Sequence, residues 1–141
     1  SLDSLQKLAE YAADAASRDI VERLRALRAE EGRLGQLRGY LGDYTQLLKD
    51  GRGMNVSRMR GRRDFVEKLN VAIGRQDDVV RDQENKYSHE VERWRGARSR
   101  ALALQRYGER LAAVEAERRD RREQTALDEI GLQARSRPAA G

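Results

Sequence analysis

Apolar residues recur at steps of three and four along two long segments of this chain, and that spacing constrains the fold more than any other feature. In the first segment Leu2, Leu5, Ala9, Ala12 and Ala16 are followed by Ile20, Leu24 and Leu27, then by Leu34, Leu37, Leu41, Tyr44 and Leu48. In the second, Phe65, Leu69, Ala72 and Gln76 lead to Tyr87, Val91, Trp94, Ala101, Leu104 and Leu111. The spacing places a narrow stripe on one side of a helix, close to a heptad repeat, where a strand would alternate. A single stripe must be covered, so each segment needs the other or a partner. The one proline, Pro138, leaves no obligatory helix breaker in the body of the chain.

Composition agrees. Only 38% of the residues are apolar and 5% aromatic, while 38% are charged. That is too little apolar mass for a thick core and suits a long helical assembly with a thin buried seam. The absence of cysteine excludes disulfides and thiolate metal sites. No run approaches the roughly 20 apolar residues of a membrane span. No signal peptide is visible, and the expected setting is the cytoplasm. Acid-first pairs at i, i+4 mark the outer faces as helix built for water: Asp14–Arg18, Asp19–Arg23, Asp64–Lys68, Asp77–Arg81, Asp82–Lys86, Glu115–Arg119 and Glu117–Arg121.

The stretch KDGRGMNVSRMRGRRDF, residues 49–65, separates the two segments. Gly51 and Gly53 suit left-handed positions after a first helix. Ser57 is a candidate N-cap for the second, and Asp64 with Glu67 forms a second start signal, so an irregular helix is expected up to Gly61. The sequence predicts an all-α fold: a long antiparallel two-helix coiled-coil hairpin over 1–130. Its helices cover about 2–49 and 58–130, joined by a turn at about 50–57, and a flexible tail covers 131–141. At 1.5 Å per residue the first helix would measure about 70 Å and the second about 105 Å. Folding back sets Leu41 near Phe65, Leu34 near Ile73, Leu27 near Val80, Ile20 near Tyr87 and Leu5 near Ala101. Beyond about residue 106 the second helix then has no partner in the chain, and its end is either frayed or kept for another protein.

Charge is uneven. Residues 51–63 carry five arginines and no acid, which equals the whole net charge of +5. The excess sits at the turn and, weakly, at the tail, and does not run along a helix as a DNA-reading basic region would. The turn lacks a preceding strand, a GxxxxGK[ST] pattern and aromatic residues for base stacking. It reads first as a solvated cap, next as an electrostatic contact to an acidic protein or lipid surface, and last as a nucleic-acid site.

Other features take plain readings. Gly32, Gly35, Gly39 and Gly42 form a small-residue row that reads first as a locally soft helix and second as a place for close approach by a partner helix. His89 is the only histidine and has no nucleophile, base and orienter beside it. Adjacent acids such as Asp77-Asp78 and Glu30-Glu31 diverge around a helix. Tyr87 and Trp94 belong to the hairpin core. No catalytic, cofactor or metal site is expected.

The order of these features resembles a known family. It comprises a long first helix with Tyr40 and Tyr44 near its end, a Gly-containing turn, and Phe65-x3-Leu69-x2-Ala72-Ile73-x2-Gln76. Trp94 follows in a charged helix, and Arg-Glu-Gln-Thr-Ala-Leu-Asp-Glu at 122–129 ends the pattern. This resembles the flagellar export protein FliJ family over essentially the whole chain. Glu123, Gln124, Asp128 and Glu129 match the family's C-terminal pattern, whereas Thr125 replaces the usual lysine.

The resemblance implies a non-enzymatic stalk of the flagellar type III export apparatus, an antiparallel coiled coil that is monomeric in isolation and needs no cofactor. Its implied partners are the hexameric flagellar export ATPase, the cytoplasmic domain of the export-gate membrane protein, and export chaperones. The implied location is the cytoplasm, peripherally at the inner membrane. Carried over by position, Tyr40, Tyr44, Phe65, Leu69, Ala72 and Gln76 form the gate-binding region. The ATPase-facing end includes Arg118, Arg119, Arg122, Glu123, Gln124, Asp128 and Glu129. The alternatives are the equivalent stalk of a virulence-type injectisome, which shares the implied architecture, a basic nucleic-acid-binding coiled coil, and a dimerising scaffold.

Overall fold

The computed structural model describes residues 1–51, 53 and 55–136; Arg52, Met54 and residues 137–141, with Pro138, lie outside the described residues. The fold is all-α, two long helices packed against each other as a hairpin. Helix α1 covers Leu2–Asp50 and helix α2 covers Val56–Ser136. The chain divides into two compact units: Tyr11–Ala97 is one, and Ser1–Glu10 with Arg98–Gly141 is the other.

In the unit Tyr11–Ala97 the apolar stripes meet as expected. Leu27, Leu34 and Val80 are buried together, with Ile73 and Tyr87 packed against them. Ala16, Leu69 and Ala97 are also buried. The covered positions of α1 along the stripe are Ala13, Ala16, Ile20, Leu27, Glu30, Leu34, Leu37, Leu41, Tyr44 and Leu48, with Ala26 and Thr45 half-buried beside it. Those of α2 are Met59, Arg62, Val66, Leu69, Ile73, Gln76, Val80, Gln83, Tyr87, Glu90, Trp94 and Ala97, with Ala72, Asp77, Val91 and Gly96 half-buried at neighbouring positions. Both sets alternate steps of three and four, with one double step in α1 where Arg23 and Leu24 are both half-buried, which is the heptad geometry of a two-helix seam. Ala12, expected in the stripe, is exposed, and Ala13 takes its place.

The middle of this seam is polar. Gln76 donates from Nε2 to the Glu30 backbone oxygen at 3.0 Å and to its carboxylate at 2.6 Å. The other Glu30 carboxylate oxygen accepts from Arg33 at 2.8 Å. Glu90 is buried and accepts from Arg93 at 3.1 Å. Gln83 stands between Gln76 and Glu90 in the heptad, and its Oε1 is buried with no hydrogen-bond donor among the described residues. Apolar periodicity alone does not mark Glu30, Gln83 or Glu90 as seam positions, because they carry polar side chains.

The turn forms where the glycines require it. Gly51 and Gly53 have φ of 57° and 72°, the left-handed region in which a Cβ would be strained. Gly51 N–H donates to the Leu47 oxygen at 3.2 Å and closes α1. The N-cap of α2 is Asn55, not Ser57: Asn55 Oδ1 accepts from Arg58 N–H at 2.8 Å. Asn and Ser cap about equally well, so composition could not rank two candidates two residues apart. Once capped there, α2 runs through Gly61 and Asp64 without the expected irregularity. Near the turn Tyr44 meets Phe65, with ring centroids 4.6 Å apart and planes tilted by 47°.

In the unit Ser1–Glu10 with Arg98–Gly141, Gln6 Nε2 donates to the Leu104 oxygen at 3.0 Å. A Cβ on Gly108 would meet Gln6 and Leu2. Leu5 is therefore not the contact residue expected against Ala101; it is 54% exposed. Coverage of α2 by the first turns of α1 reaches Gly108, slightly past the expected residue 106. Residues 131–136, expected as the start of a flexible tail, continue α2. No proline or glycine after Gly131 interrupts that stretch, and Gln133, Ala134 and Arg135 favour helix.

The expected surface pairs Asp77–Arg81, Asp82–Lys86 and Glu117–Arg121 close at 3.3, 3.1 and 2.8 Å. Asp3–Lys7, a further acid-first pair, closes at 3.3 Å. Among the described residues no helix is long and apolar enough to cross a membrane, and no acid and histidine cluster could hold a metal ion.

Candidate partner-binding site

Near the turn, α1 brings Tyr40 and Tyr44 one helical turn apart, and α2 brings Phe65, Leu69, Ala72 and Gln76 along one face. Tyr44 and Phe65 touch across the hairpin. Phe65 keeps 41% of its surface exposed and Tyr40 55%, so both can meet a partner. Leu69 is buried and cannot; it supports the face from below. Gln76 is committed to Glu30, so its amide holds the seam. The six sequence-predicted residues thus separate into an accessible pair, Tyr40 and Phe65, a half-covered pair, Tyr44 and Ala72, and two supports.

Beside Ala72 an open groove is lined by Asp64, Glu67, Lys68, Val71 and Arg75. Val71 is 54% exposed there. It lies off the three-and-four stripe, and its only sequence signal was that an apolar β-branched residue stood on a face otherwise charged.

The remote part of α2 is different in kind. Arg118, Arg119, Arg122, Glu123, Gln124, Asp128 and Glu129 are all exposed on continuous helix. The bonds described there are local: Arg121 to Glu117, Gln124 to Asp128, and the Thr125 hydroxyl to the Arg121 oxygen. Leu127, Ile130 and Leu132, which the sequence reading did not single out, stand open to solvent at 62%, 62% and 64%. Leu127 and Leu132 share a shallow groove with Asp128, Gly131 and Arg135.

The family model described as "Flagellar FliJ protein" matches residues 1–140. The chain belongs to the FliJ family. The match covers the whole hairpin and the charged end of α2 alike, so the FliJ assignment does not rest on one short motif. A comparison with curated proteins found no match. Membership makes the chain a coiled-coil component connected with flagellar protein export, in a family whose role is structural and not catalytic.

Proposed function

We propose that this chain is the stalk of the flagellar export apparatus, inserting the uncovered end of α2 into the hexameric export ATPase and stimulating it. The observation that carries the reading is the stretch 109–136: an uninterrupted, exposed helix with local bonds only among the described residues and with Leu127, Ile130 and Leu132 bare. A ring of partner subunits would cover those side chains, while the interleaved arginines and acids meet its polar wall. The Tyr44–Phe65 corner, with Tyr40 and Val71 beside it, serves as the contact for the cytoplasmic domain of the export-gate protein, which draws the chain to the inner membrane. A role in handling export chaperones belongs to the same reading. The chain carries out no reaction of its own and works as a monomer.

The deciding experiment removes the end of α2. A chain ending at Glu109 keeps the Gly108 contact with Gln6 and Leu2. It should retain the circular dichroism of the hairpin per residue and lose stimulation of the ATPase. Full stimulation by the shortened chain would overturn the assignment.

A further inference from the structure

The arginines of the turn oppose the ordinary electrostatics of a helix start. Acids are favoured in the first turn, where the macrodipole is positive. Helix α2 has no acidic residue there and instead places Arg58, Arg60, Arg62 and Arg63 in its first two turns. The nearest acids in sequence are Asp50 and Asp64, just outside the cluster. Like charges gathered at a positive helix end repel one another and the dipole, and an anionic partner relieves both. A bare apolar side chain stands among these arginines. Val56, in the outermost turn, is 76% exposed and shares a groove with Met59, Arg60 and Arg63. Arg58 is exposed in the same turn.

We infer that the turn docks on an anionic lipid bilayer, with Val56 entering the headgroup layer while Arg58, Arg60 and Arg63 reach its phosphates. Several separated cations around one bare apolar side chain fit a broad negative surface with hydrocarbon beneath it, since arginine stems lie along apolar surface and keep their heads in the polar layer. A single small anion would need convergent donors, and nucleic acid would call for stacking rings; no aromatic residue lies between Tyr44 and Phe65. The contact is direct to lipid and independent of the gate and ATPase contacts proposed above.

The test uses the purified full chain and vesicles free of protein. Partition should be measurable into phosphatidylcholine vesicles containing phosphatidylglycerol and absent for phosphatidylcholine alone, and it should weaken as salt is raised. Replacing Arg58, Arg60 and Arg63 together with Gln leaves helix propensity nearly unchanged. At about fivefold per basic residue near an anionic surface, the triple variant should partition about 100-fold more weakly. The matching variant with Arg118, Arg119 and Arg122 replaced by Gln should bind like the parent. The inference is overturned if anionic vesicles bind no better than neutral ones, or if the tail variant loses binding and the turn variant keeps it. It is also overturned if the turn binds only nucleic acid or an acidic protein.

Discussion

Gln83 and Gln76 occupy equivalent seam positions one heptad apart, yet replacing each with Leu should move stability in opposite directions. Gln83 Oε1 is buried and accepts no hydrogen bond among the described residues. An unmet buried carbonyl costs about 1–3 kcal/mol, and Leu removes it while adding apolar contact to the Tyr87 and Val80 layer. Gln83→Leu should therefore stabilise by about 1–2 kcal/mol, discounting for relaxation that already eases the native amide. Gln76, in contrast, donates to both the backbone and the carboxylate of Glu30, whose side chain is only 18% exposed. A hydrogen bond to a charged group contributes about 1.5–3 kcal/mol, and Leu returns only part of that through burial. Gln76→Leu should destabilise by about 1–2 kcal/mol, because the Glu30 carboxylate keeps Arg33 but loses its partner across the seam. The two variants would then differ by about 2–4 kcal/mol, or about 6–16 °C in Tm at 3–4 °C per kcal/mol for a chain of this size. Thermal unfolding followed at 222 nm reads this directly. Equal shifts of the same sign would refute the account of the polar seam.

Phe65→Ala should cost about 1 kcal/mol of folding, the worth of one exposed-edge aromatic pair with Tyr44, yet reduce gate-protein affinity at least tenfold by isothermal titration; unchanged affinity would move the contact elsewhere. Asn55→Ala should lose about 1 kcal/mol by urea unfolding and Ser57→Ala a few tenths, because only Asn55 caps α2. Gly39→Ala meets nothing within 4 Å and should stabilise by about 1 kcal/mol. Gly108→Ala should yield less, since its Cβ displaces Gln6 from its bond to the Leu104 oxygen.

The fold was legible because it depends on a repeat that accumulates over many turns. Leu34 with Ile73 and Leu27 with Val80 follow from counting back from the turn, and the left-handed glycines follow from residue type. What sequence could not give were choices between neighbours of equal propensity. Leu5 and Gln6 both fit a three-and-four stripe, and the more apolar one was the natural selection. The structure prefers Gln6 because its long amide reaches the Leu104 carbonyl, leaving Leu5 outside. Asn55 and Ser57 pose the same problem at the helix start. At the proposed gate-binding region residue type could not separate Leu69, which is buried, from Phe65, which is 41% exposed; both are large, apolar and one turn apart.

Burial also sorts the chain by what each part can afford to do. Every buried residue described lies between Ala16 and Ala97, within one unit. The other unit has none, and from 109 to 136 its order rests on helix propensity and on exposed pairs such as Glu117–Arg121, each worth about 0.2–0.5 kcal/mol. Its 28 residues exceed the roughly 12–15 at which an isolated helix becomes marginal, so the stretch holds helix without holding it tightly. Opening there needs no disruption of packed side chains, so its free energy should lie near the low end of the range for local unfolding. Hydrogen exchange on the free protein should show amides of 109–136 exchanging well before those near Leu27, Val80 and Tyr87. A partner ring that encloses this stretch should slow its exchange and leave the buried seam unchanged. If the free protein instead protects 109–136 as strongly as the Leu27–Val80 layer, something already covers that helix, and a second copy of the chain would be the first occupant to look for.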